Sequence, residues 1–289
     1  MSALGNQHLV PALDLIDELG QVLSRLSDPR DAHAGIVLHV AHWFRPAWEC
    51  RNEYHADVRS TVLAALSAFL LASCILAPAT NQYGLEVIST SEHYARAIRR
   101  EPVMRLVPVE NFVPGVMLDI RYATEDNFMK QKLYPRAGAY LRLPAALALR
   151  RVQEDLAPLG YGLKVWDAYR PYHVTEAMWE PYKDPDFVAD PAKGSRHNRG
   201  AAVDVTLVNL ASGDELTMPT PYDEFSLRAA ADFAELPQEV LENRRVLRET
   251  MERHGFRVLS SEWWHFDYQG WEAFPLMDLS FDEIDGVWP

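Results

Sequence analysis

Apolar positions along this chain follow two periods and one unbroken run. Leu13, Ile16, Leu19, Val22, Leu23 and Leu26 recur at helical spacing and predict an amphipathic helix over 9–26, closed by Asp28-Pro29. A second helix is expected over 144–156, with Leu147, Leu149, Val152 and Leu156 on its apolar face. A third is expected over 239–255, with Val240, Leu241, Val246, Leu247 and Met251 inward and Gly255 as its stop. Elsewhere the pattern is that of strands. GLKVWDAYRP (162–171) reads as a strand running into a turn, AAVDVTLV (201–208) as a buried strand, and WWHFDY (263–268) as an aromatic one. The unbroken run is TVLAALSAFLLASCILA (61–77), inside a stretch from Ser60 to Leu85 without one charged residue.

The strand at 201–208 carries the first chemical signal. Alternation puts Ala202, Asp204 and Thr206 on one face and Val203, Val205 and Leu207 on the other. A lone Asp in such a strand is costly unless it is paired or holds a metal. His197 precedes Asp204 by seven residues, in the loop feeding the strand, and Gly200 suits a place where backbone turns or approaches something closely. Some sixty residues later SEWWHFDY offers Glu262 and His265. In an ideal strand those two would point to opposite faces, so a bend or bulge near Glu262 is expected to bring both to one site. Two imidazoles and a carboxylate suit zinc, and three protein ligands leave the fourth tetrahedral position open. A further acid beside them, Glu262, can then serve as general base.

The full spacing S-x-H-x-x-G-x-A-x-D followed by E-x-W-H is restrictive. It is met at Ser195, His197, Gly200, Ala202 and Asp204, then Glu262, Trp264 and His265. It resembles the zinc D-alanyl-D-alanine dipeptidases of the vancomycin-resistance type, which are related to D,D-carboxypeptidases. The resemblance runs from near Leu106 to about Ala273, and LDIRYATEDNF (118–128) looks like the family's opening strand and turn. MKQKLYPRAG (129–138) departs from the glycine-led stretch of that family, which leaves one wall of the site open.

The resemblance implies an α+β domain: a small, mostly antiparallel sheet with packed helices and one zinc per chain at the sheet's open face. It implies His197, Asp204 and His265 as metal ligands and Glu262 as base. Arg170, in the Y-R-P element, would stabilise the oxyanion, a role that a permanently charged, forked guanidinium suits. Ser195 would hydrogen-bond in the substrate pocket and Asp223 would receive the substrate's ammonium. From the residues alone, Ser195 is equally a loop serine and Asp223 a turn residue. The implied reaction is hydrolysis of a small D-amino-acid dipeptide, D-Ala-D-Ala, in cell-wall metabolism. A D,D- or L,D-carboxypeptidase trimming peptidoglycan stems, and a non-catalytic zinc fold binding cell-wall peptides, are the alternatives.

Composition narrows the partners. At 289 residues and 48% apolar content the chain can bury a sizeable core, and a net charge of −13 argues against nucleic-acid or anionic-membrane binding. Cys50 and Cys74 are too few for a disulfide framework. Residues 1–57 stand apart as an N-terminal extension. They hold His39, His42, Cys50 and His55 in no recognised ligand spacing, and the reading is solvated histidines. The apolar run has two readings. It is a buried helix of a cytoplasmic protein, or, with Arg59 before it and Leu71-Ala72-Ser73-Cys74 at its end, it resembles a bacterial lipoprotein signal. In the second, favoured reading translation starts at Val58, a lipidated Cys74 anchors the chain to a membrane, and residues 75–105 tether an exported domain of 106–289.

Overall fold

The structure is a computed structural model that describes residues 80–185 and 187–287. The expected helix at 9–26, the His39/His42/Cys50/His55 group, the apolar run and Cys74 lie outside the described residues. Among the described residues no helix is long and apolar enough to cross a membrane.

The expected α+β arrangement is present. Five strands form the central sheet: β3 (Met117–Leu118), β5 (Tyr161–Asp167), β6 (Ala202–Asn209), β8 (Glu262–Tyr268) and β7 (Phe256–Leu259), hydrogen-bonded in that order. β3 runs parallel to β5, and the remaining neighbours are antiparallel. The parallel pair needs a crossover, and α3 (Leu143–Leu156) supplies it. With α5 (Gln238–Arg253) it packs on the sheet, where Val203, Val205 and Leu207 enter a core shared with Leu149, Val152, Leu247 and Met251. Asp204 and Thr206 therefore face away from these helices.

α3 lies close to the sheet for a reason its leucines do not show. Ala145, Ala146 and Ala148 are fully buried beside Leu149 and Val152, and Gln153 donates no apolar surface but accepts the Leu163 N–H at 2.8 Å. Leu147, expected inward, is exposed. Small side chains set this interface and leave the larger one to solvent. In α5, Val240, Leu247 and Met251 are buried as expected, while Leu241 and Val246 are half-buried and Asn243 and Thr250 take places in the contact.

The folded unit takes in residues that read as a tether. β1 (Val87–Ile88) pairs in parallel with β9 (Leu276–Met277), and α1 (Ser91–Arg100) follows, capped by Thr90. Of its ten residues only Tyr94 and Ile98 are buried. Yet the Tyr94 hydroxyl accepts the Leu106 N–H at 2.6 Å, at the start of β2 (Leu106–Pro108), which pairs with β4 (Tyr140–Arg142). The remaining helices among the described residues are α2 (Val109–Phe112), α4 (Tyr172–Tyr182) and the short α6 (Phe281–Asp285).

Candidate active site

Two strands and a turn deliver the site. Asp204 sits on β6 with its Cα paired to that of His265 on β8. The expected irregularity is in β8. Val258 pairs with Phe266 and the next residue, Leu259, with Glu262, so Trp263, Trp264 and His265 lie opposite no partner on β7. That bulge lets Glu262 and His265 reach one place, with Oε2 of the glutamate 3.9 Å from Nδ1 of the imidazole. His197 arrives on the single turn His197–Arg199, which ends at Gly200 with φ +66°. A Cβ at Gly200 would lie 2.2 Å from Leu106 Cδ2, so any other residue would add strain at this φ and push the Leu106 side chain aside. Asn198 anchors the same turn. Its amide donates to the Arg170 carbonyl at 2.9 Å and to Thr175 Oγ1 at 2.8 Å, and its oxygen accepts the Ser195 N–H at 2.8 Å.

His197, Asp204 and His265 are all buried, and their donor atoms lie within 4.8 Å of one another. Nε2 of His197 is 3.0 Å from Nδ1 of His265, and Asp204 Oδ1 is 3.4 Å and 3.1 Å from these two nitrogens. Zinc with bonds of about 2.0–2.1 Å spaces tetrahedral ligands about 3.3 Å apart, close to this triangle. The opposite edge of each group is already occupied. His197 Nδ1 meets the Ala168 carbonyl at 2.6 Å, and His265 Nε2 meets Asp267 Oδ1 at 2.9 Å. Both partners only accept, so those nitrogens carry the protons and the lone pairs of His197 Nε2 and His265 Nδ1 turn inward. Asp204 Oδ2 accepts the Tyr222 hydroxyl at 2.9 Å, whereas its Oδ1 is buried without a hydrogen-bond partner. An orphaned carboxylate oxygen facing two lone pairs is a site for a cation, and the residues fit zinc.

The three groups balance one another's charge. Burial opposes it, but His197 and His265 hold the Asp204 carboxyl far below the usual carboxylate range. Burial also opposes the charge on His265, yet Asp267 and Asp204 raise its pKa well above the ordinary value, so a cation entering the cluster displaces the proton from Nδ1. Burial pushes the Glu262 carboxyl up to about 7, with His265 pulling down and Asp204 pushing further up. A carboxyl near neutrality suits taking and returning a proton.

One cavity of about 280 Å³ brings together all seven residues singled out in the sequence: Arg170, Ser195, His197, Asp204, Asp223, Glu262 and His265. Nε and Nη2 of Arg170 both donate to Asp167 Oδ2, at 2.9 and 2.7 Å, and its Cζ lies 5.1 Å over the Tyr122 ring. Nη1 makes no hydrogen bond with a described residue. Asp223 has φ +60°, a conformation that non-glycine residues take at a cost. Both its oxygens accept from the Tyr122 hydroxyl at 3.1 Å, and burial, then Asp204 and Glu262, raise its pKa well above the usual range. Ser195 has a structural job. Its Oγ accepts the His197 N–H at 3.2 Å, fixing the turn that presents the ligand.

Asp167, Asp267, Tyr222 and Tyr122 escaped the sequence reading. Asp167 stands at the end of an apolar strand, the same signal that marked Asp204, and it also accepts the Tyr134 hydroxyl at 2.7 Å. That contact comes from the 129–138 stretch where the resemblance lapses, so this wall serves the site through Arg170. A larger cavity, about 550 Å³, lies beyond Asp223 and shares Phe128 and Asp223 with the first.

A family model described as D-ala-D-ala dipeptidase matches residues 103–281. The D-alanyl-D-alanine dipeptidase of Escherichia coli (strain K12) is 33% identical over 176 residues, covering 61% of this chain and 91% of that protein. That of Enterococcus faecalis (strain ATCC 700802 / V583) is 30% identical over 178 residues, covering 55% of this chain and 88% of the relative. Among solved structures, VanYB in complex with D-Alanine-D-Alanine is similar at a TM-score of 0.32 and 20% identity, over 47% of this chain and 75% of that one.

Proposed function

The chain belongs to the D-ala-D-ala dipeptidase family, and from that premise we propose that it is a zinc peptidase cleaving free D-alanyl-D-alanine. The observation that carries the choice of a dipeptide is Asp223. It is a half-buried carboxylate on the cavity wall, beside Asp204 and Glu262, with no cation among the described residues hydrogen-bonded to it. A substrate ammonium supplies the missing charge, and an acylated amine would leave it missing.

His197 Nε2, Asp204 Oδ1 and His265 Nδ1 would hold the zinc. The ion supplies Lewis acidity there, polarising a carbonyl and bringing a water's pKa towards 7. Glu262 takes the proton from the attacking water and passes one to the leaving amine. Arg170, oriented by Asp167 and stacked on Tyr122, offers Nη1 to the charge that grows on the carbonyl oxygen. Tyr222 and Tyr122 hold Asp204 and Asp223 in place, and Ser195 holds the turn of His197.

The test is amine release by the zinc-loaded full chain from D-Ala-D-Ala, L-Ala-D-Ala and an N-acylated tripeptide. Release from the free D,D-dipeptide, lost in Glu262→Gln, is expected. Turnover of the blocked tripeptide alone would reassign the chain to carboxypeptidase work, and no turnover with intact zinc binding would make it a binding fold. The location of the reaction rests on Leu71-Ala72-Ser73-Cys74 alone. Lipid attachment at Cys74 and export are proposed from that motif. Intact-protein mass spectrometry that finds a chain retaining residues 1–73 would end the idea.

A further inference from the structure

An unblocked dipeptide carries two charges, and Asp223 answers one of them. Its carboxylate end needs a cation in a cavity whose walls are otherwise acidic, with Asp204, Asp223 and Glu262 all facing in. Among the described residues lining that cavity, two are permanently charged cations, Arg170 and Arg196. Arg170 is buried and two of its nitrogens are committed to Asp167. Arg196 is placed differently. It stands on the side of Asp267, the carboxylate that also meets His265.

Its surroundings hold the guanidinium without using up its donors. Cζ lies 4.8 Å over the Trp271 ring, and Nε lies 3.5 Å from Asp267 Oδ2 and makes no hydrogen bond. Asp267 already accepts from His265, so it neutralises Arg196 only in part. The terminal nitrogens of Arg196 make no hydrogen bond with a described residue, and 42% of the side chain is exposed. A planar fork fixed by stacking, with its two outer N–H groups open, fits a carboxylate.

We infer that Arg196, which lines the same cavity as Asp223, binds the C-terminal carboxylate of the dipeptide and so sets the length of the substrate at its second end; this rests on the dipeptidase reading above. With both ends fixed by opposite charges, the scissile carbonyl is placed between Arg170 and the ligand cluster, and a C-terminal amide loses one of the two anchors.

The experiment compares D-Ala-D-Ala with D-alanyl-D-alaninamide on the zinc-loaded full chain, its Arg196→Gln and Arg196→Lys variants. Wild type is expected to favour the acid, through KM, by about tenfold or more, as for a charge-assisted pair at a half-exposed rim. Arg196→Gln should raise KM for the acid by that factor, leave kcat and zinc content near wild type, and leave the amide unchanged; Arg196→Lys should recover part of the preference. Equal losses on acid and amide, or zinc loss, would show that Arg196 merely supports Asp267, and an unchanged preference would remove it from the subsite. The same comparison by calorimetric binding to Glu262→Gln needs no turnover. An acid preference there that vanishes with Arg196→Gln upholds the carboxylate site even if the wild type cleaves no dipeptide. Equal binding of acid and amide overturns it.

Discussion

Asp267 Oδ1 and His265 Nε2 lie 2.9 Å apart, and that hydrogen bond decides which imidazole nitrogen faces Asp204. The carboxylate can only accept, so the proton is fixed on Nε2 and the lone pair of Nδ1 is aimed at the ligand cluster. Asp267→Ala is expected to weaken zinc binding by about 10–100-fold, the usual effect of losing the group that orients a ligand. Chelator competition on the purified variant measures this. Wild-type affinity would mean that burial alone orients the ring.

Asp167 does for Arg170 what Asp267 does for His265. It is 1% exposed and holds the guanidinium through two nitrogens, with Tyr134 donating to its other oxygen. Asp167→Asn should retain zinc but lower kcat by about 10²–10³, because the oxyanion donor is no longer held in place. It should also cost stability, up to about 3–5 kcal/mol for a broken buried pair. Steady-state kinetics beside a thermal melt separate the two effects, and a full kcat in a destabilised protein would restrict Asp167 to folding.

Much of this site was legible because the sequence contains local contradictions. Asp204 interrupts an apolar strand. Glu262 and His265 fall on opposite faces of any regular strand, and the bulge resolves it. The orienting acids were less legible. Asp267 is two residues from His265, hence on its side of the strand, but an acid near a strand end also reads as a surface residue. Tyr122 meets Asp223 across 101 residues of sequence, a contact that no local pattern encodes. The fold misreadings have a similar cause. Burial of alanines in α3 and of two residues in a charged α1 depends on what packs against them, not on their own period.

Gly200 links the two halves of the ligand set. With φ +66° and Leu106 Cδ2 2.2 Å from any added Cβ, Gly200→Ala must strain the turn of His197 and displace the buried Leu106 side chain. A destabilisation above about 1 kcal/mol is expected, together with weaker zinc binding. Wild-type melting and zinc affinity in this variant would show that the turn tolerates both strain and contact.

A second effect is independent of the metal. His173 Nδ1 is 2.6 Å from Asp278 Oδ1, and the bond raises the histidine pKa against the opposing effect of burial. Burial works against ionising Asp278, but the hydrogen bonds from His173 hold its pKa below the ordinary value. The raised histidine stabilises fully below its unfolded value, 6.5, and loses this as pH rises through its folded value. The depressed aspartate stabilises above its unfolded value, 3.8, and loses this as pH falls through its folded value. The pair therefore contributes most between the two. With 60% of the His173 side chain exposed, its worth is at most about 1 kcal/mol. The melting gap between wild type and His173→Gln should be visible near about pH 5.5 and shrink near about pH 9. A gap that does not change with pH would assign the effect to packing.

Asp223 gives the sharpest test of substrate choice, because its charge and its shape can be separated. It adopts φ +60°, which Asn also takes with little penalty, so Asp223→Asn keeps the backbone while removing the negative charge. The Tyr122 hydroxyl still finds an acceptor in the amide oxygen, so the wall stays in place. What disappears is the partner for a substrate ammonium. Against D-Ala-D-Ala, kcat/KM should fall by about 10- to 10²-fold, since a charged hydrogen bond to the substrate is lost. Against N-acetyl-D-Ala-D-Ala the loss should be smaller, because that substrate leaves the wild-type carboxylate unpaired. The ratio of the two kcat/KM values therefore narrows in the variant. If the ratio stays at its wild-type value, the free amine is read by another group, and Asp223 is the turn residue that its Pro-flanked segment suggests.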